Sequence, residues 1–245
     1  MRIAIVADIH ANLTALDTVL RHAGVVDAVW SLGDSVGYGP QPGQCIARLR
    51  ELGALMVAGN HERAATGAIS TEDFNPDAAA AAQWTKARLT LEERAFLDSL
   101  PEVALEGEFT LVHGTLRDPI WEYLYSYEAA IGHLALQETP FGLFGHTHVP
   151  TLVVEDEHLP RGCELLRLQD GEKVDLGGRG GKLVVNPGSV GQPRDGDRRS
   201  SYALYDSQEN AITLHRAEYE IGATQKLMEE ARLPGWLIKR LAEGR

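Results

Sequence analysis

The sequence predicts an α/β fold in which two β-sheets pack face to face with helices outside them. Three observations carry this prediction. Short apolar runs recur up to Pro150, with helical patterns between several of them. Beyond Pro150, strand-like runs follow one another without helices. No linker, low-complexity tract or repeat interrupts the chain, so residues 1–245 read as a single domain.

The early apolar runs are residues 3–7, 25–32, 54–58, 109–112 and 141–144. Each is short, rich in β-branched residues or Phe, and bounded by Gly or charge, as buried strands are. Leu13, Leu16, Leu20 and Ala23 recur three or four apart and predict an amphipathic helix over 11–23. Ile46, Leu49 and Leu52 predict the next. Residues 74–89 are helix-prone, with Pro76 at the first helical position, where its missing N–H costs nothing. This βαβ rhythm implies a mostly parallel sheet. Residues 151–154, 163–168, 183–185, 202–205 and 212–215 then read as antiparallel strands joined by turns such as Asp170-Gly171 and Gly177-Gly178. A helical stretch over 223–242 is interrupted at Pro234-Gly235.

Composition narrows the function. With 44% hydrophobic and 24% charged residues the chain is of ordinary globular type. A net charge of −12 argues against bulk nucleic-acid binding, which needs a basic footprint. No apolar run of about 18 residues predicts a membrane span. Cys45 and Cys163 stand in unrelated contexts and make neither a disulfide framework nor a thiolate zinc site. The opening residues reach Asp8 at once, so a cytoplasmic protein is the expectation.

The early runs share one further property. They end in Asp8-Ile9-His10, Gly33-Asp34, Gly59-Asn60-His61-Glu62, His113-Gly114 and Gly145-His146-Thr147-His148. In open α/β sheets, sites form beyond the carboxyl ends of the strands, so these clusters are expected to converge. An isolated Asp or His there would be a cap, a turn or a packing residue. Together the clusters supply carboxylates, an amide oxygen and several imidazoles, a donor set suited to Mn, Fe, Zn, Ni or Co. The candidate ligands exceed the needs of one tetrahedral ion. Two ions sharing a carboxylate is the economical reading, and such ions about 3.5–4 Å apart can clamp both oxygens of a phosphoryl displacement. His22, His133, His158 and His215 lie outside the clusters and read as surface or packing residues.

In order, these motifs resemble those of calcineurin-like metallophosphoesterases, and Asn186-Pro187-Gly188-Ser189-Val190-Gly191 extends the likeness to small bacterial and archaeal members. The resemblance implies a four-layer αββα sandwich of two mixed β-sheets flanked by helices. It implies one metal held by Asp8, His10 and His148, a second held by Asn60, His113 and His146, and Asp34 bridging them. It further implies attack on phosphorus by a metal-bridging hydroxide, with His61 protonating the leaving oxygen. Manganese is the first expectation for the ions. Protein phosphatases and symmetric dinucleoside tetraphosphate hydrolases carry an Arg soon after the Gly-Asp pair, whereas Ser35 to Pro40 holds none. Asn12, Tyr38, Arg63 and Arg194 are the candidate substrate contacts.

The segments 62–101 and 115–139 are predicted to be partly helical insertions that wall or cover the site. Their aromatic residues Phe74, Trp84, Trp121, Tyr123 and Tyr125 are expected mainly to pack helices onto the sheet. The expected function is hydrolysis of small phosphodiesters or phosphomonoesters, nucleotides among them. The rivals are a dinucleoside polyphosphate or phosphoprotein phosphatase, and a non-catalytic protein-binding scaffold such as the retromer subunit of this fold. Two divalent ions would add four positive charges at one rim of an acidic protein. Small phosphate esters, rather than long polyanions or a membrane, are therefore the expected partners.

Overall fold

The computed structural model describes residues 1–178 and 180–245. Strand β1 (Arg2–Val6) leads through helix α1 (Leu13–Ala23) to β2 (Ala28–Ser31), and α2 (Pro42–Glu51) leads to β3 (Leu55–Met56). Helices α3 (Asn60–Thr66), α4 (Pro76–Arg88) and α5 (Leu91–Asp98) follow, then β4 (Val103–Glu106), β5 (Phe109–Val112), α6 (Tyr127–Leu136) and β6 (Phe141–Leu143). The remainder runs β7 (Thr151–Glu155), β8 (Cys163–Arg167), β9 (Lys173–Asp175), β10 (Leu183–Asn186), β11 (Ser200–Asp206) and β12 (Ala211–Ala217). It closes with α7 (Ile221–Glu230) and α8 (Gly235–Arg240), separated where Pro234 cannot continue a helix.

The strands form two mixed six-stranded sheets, ordered β3-β2-β1-β11-β12-β9 and β4-β5-β6-β10-β7-β8. Each sheet mixes parallel and antiparallel strands, as the family resemblance implied. Strands β1, β2 and β3 are parallel, and β11 closes antiparallel onto β1. In the other sheet β5, β6 and β10 are parallel, and β7 pairs antiparallel with β10. Strand β10 is parallel although no helix directly precedes it. The chain reaches it from β6 by way of β7, β8 and β9, and it is buried along its whole length, as central parallel strands are.

Period-2 alternation in β1 sets the layers. Ile3 and Ile5 face the second sheet, where they join Trp30, Leu111, Leu143 and Val185 in the inter-sheet core. Ala4 and Val6 face outward and pack with Leu16, Val19, Ile46, Leu49 and Leu97 from the helices. On the far side, Val112, Phe144 and Val184 meet Ala130 and Leu134 of α6. The result is the αββα sandwich.

Capping chemistry sets the helix starts. Helix α1 begins at Leu13 because the Asn12 side chain accepts from the Ala15 amide (3.2 Å). Asn75 does the same for α4, with Pro76 at its first position. Edge strand β4, three-residue β9 and α5 lack a strong periodic signal, and the sequence reading does not separate them. The segment 62–101 is not chiefly a lid. Leu89, Leu97 and Leu100 belong to the helical layer over the first sheet, and Trp84 donates to the Ala231 carbonyl. In 115–139, α6 packs on the second sheet and only the preceding loop reaches the strand ends. Among the described residues, no helix is long and apolar enough to cross a membrane.

His133 ties that loop to α6. Its Nδ1 accepts from the Leu116 amide (3.2 Å) and its Nε2–H donates to Gln137 Oε1 (3.2 Å). Burial pushes its pKa down to about 4 from 6.5. A depressed pKa means that this stabilisation is complete above pH 6.5 and is lost as pH falls toward 4, a change of about 3 kcal/mol. In urea unfolding with chelator present, the stability gap between wild type and His133→Gln is expected to shrink by that order between pH 7 and pH 4.

Candidate metal centre

The strand ends are built from unusual backbone. Asp8, His10, Ala11, Asp34, Tyr38, His146 and His148 all have positive φ, between 49° and 64°. Each costs on the order of 1 kcal/mol for a residue with a Cβ. Left-handed residues alternate with ordinary ones and re-aim the chain, so that both side chains of Asp8-x-His10 and of His146-x-His148 turn inward. The first two motifs are zipped together as they leave the sheet. The amides of Asp8, His10 and Ala11 donate to the carbonyls of Gly33, Asp34 and Ser35 (3.1, 2.9 and 2.9 Å). The third motif packs against them through Gly59, where an added Cβ would stand 2.2 Å from Asp34 Oδ1.

Three triads among the described residues could hold a metal ion: Asp8, His10 and His148; His10, Asp34 and His61; and Asp34, His113 and His146. All these side chains are buried. His10 Nε2 and His148 Nε2 lie 3.1 Å apart, and His113 Nε2 and His146 Nδ1 lie 3.0 Å apart. Asp34 Oδ2 stands between the two pairs, 3.8 Å from His10 Nε2 and 3.3 Å from His113 Nε2. Asn60 Oδ1 approaches His113 Nε2 at 3.3 Å.

The outer nitrogens fix the tautomers. Nδ1–H of His10, His113 and His148 donates to the carbonyls of Val36 (3.2 Å), Leu32 (2.8 Å) and Gln192 (2.6 Å). Nε2–H of His146 donates to the Trp121 carbonyl (3.2 Å). A carbonyl can only accept, so the inner nitrogens present lone pairs toward one another, as metal-ligating imidazoles do. Asp8 Oδ2 is buried with no hydrogen-bond partner, although Oδ1 accepts from the His146 amide (3.2 Å). An orphaned carboxylate oxygen beside converging lone pairs fits a divalent cation, and the mixed O/N donors suit a borderline transition ion.

Without a cation the charges settle otherwise. Burial raises the Asp8 carboxyl to about 8. Burial also pushes His10, His146 and His148 well below the usual imidazole range. For Asp34, burial acts upward, but the charges of His113 and His61 overcome it and hold the carboxyl well below its usual range. His113 is raised to about 9 against its own desolvation, by Asp34. His61 falls to about 4 through burial.

Among the other candidates, Tyr38 lies at the cluster, its ring 4.5 Å from His10 and 4.3 Å from His61. Arg194 joins it, with its guanidinium carbon 5.9 Å from the Tyr38 ring centre. Asn12 and Arg63 do not serve as expected. The Asn12 side chain caps α1, donates to the Gly191 carbonyl (3.1 Å) and accepts from the Thr224 hydroxyl (2.9 Å), so its polar atoms are spent. Arg63 turns to the end of α5, where it donates to the carbonyls of Asp98 (3.1 Å) and Leu100 (2.7 Å) and pairs with Glu102 (3.5 Å).

Sequence reasoning missed Glu62. Its carboxylate accepts from the amides of Asp34 (2.8 Å), Ser35 (2.7 Å) and Gly59 (2.8 Å) and from the Ser35 hydroxyl (2.7 Å). It thereby clasps the second motif to the third. The Gly59-x-x-Glu62 spacing at a helix start was the available signal. The aromatic loop was also underrated as a part of the site. Tyr123 stacks on His146 at 3.8 Å, Tyr125 hydroxyl donates to the Thr147 carbonyl (2.8 Å), and Phe74 meets both His61 and Trp121 edge-on.

This architecture, a mixed two-sheet sandwich with Asp, Asn and His gathered at its strand ends, defines a metallophosphoesterase. The family model for the calcineurin-like phosphoesterase superfamily domain matches residues 1–210, and the chain belongs to that family. It is similar to the uncharacterized protein MJ0912 of Methanocaldococcus jannaschii, with 37% identity over 99% of this chain and 98% of that one. The crystal structure of a metallophosphoesterase from Sphaerobacter thermophilus superposes with a TM-score of 0.91 at 46% identity, covering 100% of this chain and 99% of the other. The hypothetical protein PH1004 from Pyrococcus horikoshii OT3 shares the fold, with a TM-score of 0.78 at 19% identity over 100% and 98% of the two chains.

Truncating Glu62 strands several buried N–H groups at once. Glu62→Ala is expected to cost on the order of 3–5 kcal/mol, to lower the melting temperature by about 10 °C, and to reduce bound metal, as read by calorimetry and elemental analysis.

Proposed function

We propose that the protein is a dinuclear metal-dependent phosphoesterase acting on small phosphodiesters or phosphomonoesters. The observation that carries this reading is the position of Asp34 Oδ2, shared between the His10 and His113 sides of one buried cluster. In it, Asp8, His10 and His148 would hold one ion, Asn60, His113 and His146 would hold the other, and Asp34 would serve both. Manganese is the proposed metal, since oxygen and imidazole donors mix without thiolate. When bound, two such ions supply a water-derived nucleophile near neutral pH and positive charge for the phosphoryl oxygens.

The chain's own residues do the rest. The carbonyls of Leu32, Val36, Trp121 and Gln192 hold the imidazoles in the ligating tautomer, so little reorganisation accompanies binding. His61 stands in a triad with His10 and Asp34 but outside the two ligand sets above, and it carries a buried Nδ1 without a hydrogen bond. We assign it the proton for the leaving oxygen. An anionic phosphoryl group beside it raises its depressed pKa, so the proton is taken up with the substrate. Tyr38 packs against the His61 ring and keeps it turned to the cluster. The cytoplasm is the proposed location, supported by two buried free thiols, Cys45 and Cys163.

Purified protein is expected to bind about two equivalents of Mn²⁺ by calorimetric titration and to cleave p-nitrophenyl phosphate esters. Asp34→Ala should lose both metal and activity. His61→Ala should retain metal while turnover falls about 10²- to 10⁴-fold. Intact protein that binds no metal, or unchanged rates in both variants, would refute the reading.

A further inference from the structure

Arg194 differs from the ion-paired arginines of this acidic chain in being shielded yet unpaired. Arg48, Arg50, Arg63, Arg117, Arg199 and Arg216 each lie within 4.0 Å of a carboxylate. Among the described residues, no carboxylate comes that close to Arg194. Its Nε is buried without a hydrogen-bond partner, one terminal nitrogen donates to the neutral amide oxygen of Gln192 (3.2 Å), and the neutral Tyr123 hydroxyl is its other polar neighbour. A shielded guanidinium left without an anion is costly, so its retention calls for an anionic guest.

Its placement says which guest. The Arg194 amide donates to the carbonyl of His148 (3.3 Å), and the carbonyl of Gln192 orients the His148 ring (2.6 Å). The guanidinium is thus registered to the cluster through two neighbouring residues. It lies over Tyr38, the ring that also touches His10 and His61. Asp8 is near enough for its charge to act on Arg194, yet Asp8 Oδ2 and Arg194 Nε both remain unpartnered rather than bonding to each other. Arg240 of α8 lies on the same side, and burial together with the Arg194 charge lowers it to about 10. Positive charge is therefore gathered beside Tyr38 and the cluster.

We infer that Arg194 receives the phosphoryl group and makes the site one for terminal phosphates, that is, for phosphomonoesters over phosphodiesters. A guanidinium presents a planar fork of donors that matches two oxygens of a phosphate. A terminal phosphoryl group carries three unsubstituted oxygens and two negative charges, enough for the cluster and for Arg194 together. A diester carries only two such oxygens and a single charge, so one contact must be shared. This assignment rests on the phosphoesterase reading above and narrows its substrate class.

The test titrates inorganic phosphate into the metal-loaded protein by calorimetry. It also compares kcat/KM for p-nitrophenyl phosphate with that for bis-p-nitrophenyl phosphate. Arg194→Met is expected to weaken phosphate binding about 10- to 100-fold, with metal content and phosphate-free melting temperature unchanged. The wild-type preference for the monoester should fall by about the same factor, chiefly through KM. Should Arg194→Met fold poorly, Arg194→Gln makes the same comparison. Equal phosphate affinity in wild type and variant, no measurable phosphate binding by wild type, or an unchanged monoester-to-diester ratio overturns the inference. If the wild type binds phosphate through Arg194 but hydrolyses neither ester, the catalytic reading fails and the anion site stands.

Discussion

Two carboxylates and five imidazoles share a volume that water barely enters, and the rest of the structure answers to that constraint. Asp8 and Asp34 are buried at 0% and 1% exposure. Burying an uncompensated charge costs several kcal/mol, so each atom of the cluster needs a partner or a cation. Protein groups meet most of the need from outside. Main-chain carbonyls take the outer imidazole protons, and Glu62 takes the amides of the second and third motifs. Inside, the lone pairs face one another and Asp8 Oδ2 has no partner. The protein has satisfied the periphery of the cluster and left its centre suited to a divalent ion.

The left-handed residues follow from the same constraint. A strand sends successive side chains to opposite faces, so a regular strand end cannot aim several ligands at one point while its neighbours do likewise. Positive φ at Asp8, His10, Asp34, His146 and His148 solves the aiming problem at a cost in backbone strain. Glycine would adopt these angles freely but would bring no ligand. The strain is held by the zipped amides of the first two motifs and by the close approach of Gly59 to Asp34.

Much of this was legible in the residues. Asp, Asn and His repeated at the ends of buried apolar runs, and that pattern was enough to expect their convergence; their sorting into ligands came from the family resemblance. The helix start at Pro76 was legible because proline at a first helical position is local chemistry, whereas the Asn12 cap shows only in the structure. What depended on long-range direction was not. The side of α3 on which Arg63 emerges is decided by packing against α5, and the parallel setting of β10 by its place beside β6. Trp121 and Gln192 help through carbonyls that any residue would supply, so no side-chain pattern announces them.

The division of the parallel strands between two sheets has a kinetic consequence. The candidate ligands come from the ends of β1, β2 and β3 in one sheet and of β5 and β6 in the other, so two of the three candidate triads draw on both sheets. The central strand β1 is closed by β11, with Ile3 opposite Tyr205, and the Ser189 hydroxyl reaches back to the Asp8 carbonyl (2.8 Å). Nearly the whole chain must be synthesised and threaded into place before these contacts can form. Folding with such distant pairings is slow, and the cluster is assembled only when the two sheets dock. The triads that draw on both sheets, Asp8-His10-His148 and Asp34-His113-His146, are therefore complete only in the finished fold.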